Sequence, residues 1–150
     1  MLTDIKIDIL KKLKGNPISL DEFIYIEKEL DIKLPSLFRE LNSLCSYEYT
    51  HSFAFFNFGA KGEYGVSHMT KTLWTLYPSD KKYLHLYSDD AGILLMDLNE
   101  QASVMWCSIY DLENYLYDKP MSMKYDFFPT FTDFFSYLLD EEEKERAEVE

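Results

Sequence analysis

The sequence predicts an α+β domain with N-terminal helices, a central mainly antiparallel sheet of five to six strands, and a C-terminal helix packed on the sheet. Three observations predict it. Apolar residues recur at helical spacing through the first 44 positions. From Tyr47 the period shortens to runs of a few apolar residues bounded by Gly, Pro, Asp, Ser or Asn. A last helical stripe then closes the chain. Helices, then a block of strands, then a helix is the order of an α+β domain.

In chain order, Leu2, Ile5, Ile9 and Leu13 make one stripe, which "GNP" at 15–17 ends. Ser19 and Glu22 fit a capping box, with Ile18 and Phe23 placed as a hydrophobic staple. The helix that follows is expected to reach about Leu30, with Phe23, Ile26 and Leu30 inward. Pro35 suits the first turn of another helix, carrying Leu37, Phe38, Leu41 and Leu44. "HSFAFFNF", "EYGVSHM", "KTLWTLY", "YLHLYS", "GILLMDL" and "SVMWCSI" read as strands. In "YLHLY" alternation puts Leu84 and Leu86 on one face and Tyr83, His85 and Tyr87 on the other. The short gaps favour antiparallel hairpins. After "YDKP" and a loosely patterned stretch, Thr130 caps a final helix bearing Phe131, Phe134, Phe135 and Leu138. Beyond about Glu142 nothing apolar repeats, so the end is expected to fray.

The 150 residues favour one domain, taken as 1–140, with an acidic mobile tail at 141–150. A chain this long buries roughly 68–70% of its unfolded surface and needs neither disulfides nor zinc. The N-terminus does not read as a signal peptide, and no apolar run approaches a membrane span. Cys45 and Cys107 form no CxxC pair and are expected to be free thiols in the cytoplasm.

Charge narrows the function. Fifteen basic against 27 acidic residues give −12, and residues 140–150 account for −5 of it. An acidic body repels phosphates, which argues against nucleic acid. It speeds encounter with a basic partner. Aromatic residues make up 17% of the chain, with 12 Tyr and 11 Phe, and half-exposed tyrosines make good contact surface.

No catalytic, metal or cofactor site is expected. Asp89, Asp90 and Asp97 are the best metal candidates, but Asp89 and Asp90 point to opposite faces in extended chain. Asp97 lies a strand away. "SDDAG" and "DLNEQ" read better as turns, with Gly92 supplying free φ. His51, His68 and His85 are isolated, and G-x-S-x-G is absent. "GAKGEYG" has three glycines but is expected to lack the following phosphate lysine and the following helix of a P-loop. Trp74 and Trp106 read as core. Partner-binding candidates are carboxylates and tyrosines expected to be exposed at one sheet end: Glu48, Tyr49, Glu63, Tyr64, Tyr87, Asp89, Asp90 and Glu100.

Three segments, spanning roughly residues 18–140, resemble the SMI1/KNR4 (SUKH) superfamily. "IEKELDIKLPSLFRELN" (26–42) looks like its opening I-E-x-x-L-x-x-x-L-P element. "DDAGILLMDLNEQASVMWC" (89–107) is similar to its central hairpin, through Gly92, Asp97, Val104 and Trp106. "PTFTDFFSYLL" (129–139) resembles its closing S-F-x-E-F-L helix, with Thr130 in place of the serine. The aromatic "YEYTHSFAFFNF" stands where the family has a loop of glycines and polar residues. The resemblance implies an α+β domain without catalytic residues. It also implies a cytosolic immunity protein that binds and neutralises a cognate polymorphic or contact-dependent toxin domain. A basic nuclease is the expected toxin. The alternative it implies is a non-catalytic regulatory or scaffold domain binding a cellular protein. A small hydrolase, the third class, would need a cleft with converging polar groups.

Overall fold

The computed structural model describes residues 19–44, 65–78 and 82–149. Helix α1 (Leu20–Leu30) begins at the predicted capping box. The Ser19 hydroxyl accepts the Glu22 N–H at 3.2 Å, and the Glu22 carboxylate accepts the Ser19 N–H at 3.3 Å. Phe23, Ile26 and Leu30 are buried. The helix stops at Asp31, which takes a left-handed conformation at φ 52°. The Glu27 carboxylate then reaches forward to the Leu34 N–H at 3.0 Å. That bond fixes the turn before Pro35, and α2 (Ser36–Leu44) follows. The helix expected over 2–14 lies outside the described residues.

Helix α3 (Val66–Leu76) corrects the strand reading of "EYGVSHM" and "KTLWTLY", and the expectation that no helix follows "GAKGEYG". The described residues from Val66 to Leu76 in these runs form one helix, in which Val66, Thr70 and Leu73 are buried on a helical face. The short apolar runs suggested strand. Here the Thr72 and Thr75 hydroxyls donate to the carbonyls of His68 and Lys71, at 3.1 and 2.9 Å, and so are satisfied within the helix.

The sheet is an antiparallel meander in the order β1-β2-β3-β4. Its strands are β1 (Tyr83–Ser88), β2 (Gly92–Asp97), β3 (Val104–Ser108) and β4 (Asp126–Phe128). The described residues thus hold four strands, not five to six. Two expected runs became α3, "HSFAFFNF" lies outside the described residues, and β4 comes from the stretch read as unpatterned.

Both sheet faces are covered, which explains the unbroken apolar run in β2. Leu84, Leu86, Leu94, Met96 and Val104 pack on one face with Phe23, Ile26 and Phe38 from α1 and α2. Helix α5 (Phe131–Val149) adds Phe131, Phe134, Phe135 and Leu138 to the same cluster. On the second face Tyr83, Ile93, Leu95, Met105 and Cys107 meet Leu73 of α3 and Leu112 and Leu116 of α4 (Leu112–Leu116). A 3-10 turn, Ile109–Asp111, leads from β3 into α4.

The β1–β2 register breaks between His85 and Tyr87. His85 pairs with Leu95 and Tyr87 with Leu94, leaving Leu86 as the extra residue of a bulge. The bulge moves Tyr87 from the Tyr83 face to the leucine face, against the predicted alternation.

Helix α5 opens with the predicted Thr130 cap, which proves reciprocal. The Asp133 N–H donates to Thr130 Oγ1 at 3.1 Å, and the Thr130 N–H donates to Asp133 Oδ2 at 3.2 Å. The Phe131 N–H donates to the Gln101 carbonyl at 3.0 Å, which docks the helix start on the β2–β3 turn. The helix runs beyond its apolar stripe to Val149. Glu, Lys, Arg and Ala in that stretch are good helix formers. Among the described residues no helix is long and apolar enough to cross a membrane.

Candidate functional site

The β1–β2 turn is built around Asp89. Its Oδ1 accepts the Ala91 and Gly92 N–H groups at 2.8 and 3.0 Å, and its Oδ2 accepts the Tyr87 hydroxyl at 2.8 Å. These bonds favour the ionised form, so the Asp89 carboxyl titrates below its ordinary value, chiefly through Tyr87. The Tyr87 hydroxyl moves the opposite way for the same reason. The Tyr87 ring, brought round by the bulge, stacks on Trp106 with centroids 6.1 Å apart and planes 15° off parallel. The Trp106 ring in turn lies over Gly92, where an added Cβ would sit 2.7 Å from an indole carbon and 2.5 Å from the Cys107 carbonyl oxygen. Close approach, not free φ, is therefore why residue 92 is glycine.

The structure brings Tyr87, Asp89 and Asp90 together at this end, with Asp89 and Asp90 exposed. Glu100 is also exposed, but it sits in the β2–β3 turn at the opposite end of β2, about 17 Å away by strand rise. The expectation of a single sheet end therefore fails for Glu100, because consecutive meander turns alternate ends. Glu100 instead borders a cleft of about 450 Å³ with Lys33, Leu34, Pro35, Ser36, Leu98 and Asn99. Glu48, Tyr49, Glu63 and Tyr64 lie outside the described residues.

Sequence reading missed a second surface, the segment 109–127, which crosses the second sheet face. It exposes Tyr110 (86%), Met123 (58%), Phe127 (52%) and Tyr125 (45%). The exposed carboxylates Glu113, Asp118 and Asp126 stand among them, with Lys119 and Lys124 as counter-charges. The available signal was composition: "YDLENYLYDKPMSMKYDFF" alternates rings and acids without a helix or strand period.

Asp111 ties this segment down. Its side chain, shielded from solvent, accepts from Ser122 Oγ at 2.7 Å, the Ser122 N–H at 3.0 Å, Asn114 Nδ2 at 3.1 Å and the Met123 N–H at 3.0 Å. The Ser122 bonds dominate in lowering its carboxyl to about 2. Desolvation opposes them but is outweighed by the Ser122 bonds.

Other titratable groups sit apart. Burial depresses His85 to about 4, so its ring is neutral at pH 7. Burial, then Asp111, pushes the Cys107 thiol up to about 11, which makes it a poor nucleophile. Trp74 and Trp106 are half-buried and pack against the core, and the Trp74 indole N–H donates to the Tyr83 carbonyl at 3.0 Å. Among the described residues no three His, Cys, Asp or Glu converge as a metal would require.

Fold and surface together define an α+β domain with exposed rings set among carboxylates. No family model matches the chain, and no curated protein or solved structure matches it.

Proposed function

We propose that this chain is a cytosolic immunity protein of the SUKH type. It binds a cognate polymorphic or contact-dependent toxin domain, a basic nuclease, and neutralises it by steric and electrostatic occlusion. The observation that carries this reading is the exposure of Tyr110, Tyr125 and Phe127 in a segment, 109–127, that also exposes Glu113, Asp118 and Asp126, on a chain of net charge −12. Large exposed rings are unfavourable in water and anchor protein interfaces. The acids supply long-range attraction to a positive partner. An interface of about 800 Å² per partner would cover roughly a tenth of the 8868 Å² surface.

The test is co-expression with the C-terminal domain of a large secreted toxin encoded beside this chain. Co-purification as a stable complex, with loss of the toxin's nuclease activity, is the expected result. A chain with no such neighbour, or one that leaves the toxin active, removes the immunity reading. Capture of a housekeeping protein in its place would support the regulatory scaffold.

A further inference from the structure

The sheet ends on two edge strands, β1 and β4, and the fold treats them differently. In an antiparallel ladder, successive residues turn their N–H and C=O groups to opposite sides of the strand. The Asp97 N–H donates to the Ser103 carbonyl at 2.8 Å, which continues the β2–β3 register by one pair. Met105 and Cys107 therefore face β2, and Val104 and Trp106 face β4. Their partners in β4 are Phe128 and Asp126. Phe127, between those two, is left with its N–H and C=O turned away from the sheet.

On β1 the corresponding outward groups are met. The Leu98 N–H donates to the Lys82 carbonyl at 3.3 Å, so Lys82 and Leu84 face β2 and Tyr83 and His85 turn outward. The Trp74 indole N–H donates to the Tyr83 carbonyl at 3.0 Å, and the Thr70 hydroxyl accepts the His85 N–H at 3.0 Å. Side chains of α3 thus close that edge. Among the described residues no hydrogen bond reaches the outward N–H or C=O of Phe127. Residues 124–127 and Pro129 are exposed, so this edge faces water.

The opening is short. Pro129 has no N–H to offer at one end, and Lys124 stands at the other. A short edge bounded by a proline and a lysine resists pairing with a copy of itself. Two chains of net charge −12 also repel. A segment of a positively charged protein meets neither obstacle. It would find a ring on each side of the sheet. Phe127, opposite Met105, is 52% exposed on the second face. Tyr137 of α5 is 38% exposed on the first, its ring centroid 5.2 Å from that of Phe128.

We propose that the β4 edge, at Phe127, is where an extended strand of the basic protein partner adds to the sheet. Main-chain bonds to the Phe127 N–H and C=O hold the added strand, and its alternate side chains pack on Phe127 and on Tyr137. The identity of the partner rests on the immunity reading. The open edge rests on the register alone.

Amide exchange in the free chain is the first test. Phe127 is expected to exchange roughly ten-fold faster than Asp126 and Phe128, whose N–H groups bond to β3. Equal protection of the three would overturn the proposal. The full chain is then titrated with acetyl-Lys-Val-Lys-Val-Lys-amide and with the same peptide methylated at every backbone nitrogen, which keeps the charge and lacks the donors. A saturable shift of the Phe127 amide signal is expected with the first, with a Kd on the order of millimolar, and none with the second. No shift at Phe127 with the first peptide, or equal shifts with both, counts against the edge. With a toxin domain that forms a complex, Phe127→Pro removes an N–H that the fold does not use. It is expected to weaken binding roughly ten-fold beyond Phe127→Ala, while the two variants melt alike. Equal binding by the two variants, or a Phe127 amide that still exchanges freely in the unsubstituted complex, rules out strand addition by the toxin. Where proline unfolds the chain, the amide result decides. If the first peptide docks at Phe127 and no toxin domain binds, the immunity reading fails and the edge site stands.

Discussion

Gly92 illustrates how one residue records a contact made by another. The Trp106 indole and the Cys107 carbonyl fill the space a Cβ would take, and the carbonyl cannot move without breaking the β2–β3 ladder. Gly92→Ala is expected to cost about 1–3 kcal/mol, as overpacking generally does, read from urea unfolding. His85 sets a pH window. Its folded pKa of about 4 lies below its ordinary 6.5, so between these values the unfolded chain binds the extra proton. Stability is therefore full above about pH 6.5 and falls toward pH 4, by up to about 3 kcal/mol. Denaturant melts at several pH values should show this slope, and His85→Gln should flatten it. Asp111 acts in a lower window. Its folded carboxyl titrates at about 2 against an ordinary 3.8, so its contribution is present above about pH 4 and is lost as pH falls toward 2. Asp111→Asn should lower the melting temperature at pH 7 and loosen the 109–127 segment, visible as faster amide exchange at Ser122 and Met123.

At the scale of elements, what the sequence made legible was local. The Ser19–Glu22 and Thr130–Asp133 caps, the α1 stripe and the phenylalanine stripe of α5 depend only on residues three or four apart. Ser19→Ala should cost about 1 kcal/mol, measurable by thermal melts, and Thr130→Ala should cost a similar amount. What stayed illegible depends on distant neighbours. Nothing in the local pattern marks Thr70, whose hydroxyl accepts the buried His85 N–H at 3.0 Å and joins α3 to β1. No periodicity announces the bulge at Leu86, yet it alone turns Tyr87 toward Trp106. Strand β4 has only three residues, and its pairing with β3 makes it a strand. The candidate surface was half legible for the same reason. Turn carboxylates Asp89 and Asp90 follow from local chemistry. The outward turn of the Phe127 backbone at the β4 edge needs the fold.

For the molecule as a whole, two covered sheet faces supply the core and leave the chain 109–127 as an outward-facing belt of rings and acids. Under the proposed function, net charge would govern how fast a partner arrives, and the rings how long it stays. The most direct measurement is the kinetics of association with a basic toxin domain at low and physiological salt. Between about 0.01 M and 0.15 M salt the Debye length falls from roughly 30 to 8 Å. The expected result is an association rate that drops by about ten-fold or more over that range, with Tyr125→Ala and Phe127→Ala raising the dissociation rate instead. An association rate flat across the same range, with dissociation unmoved by either substitution, would contradict binding through this surface.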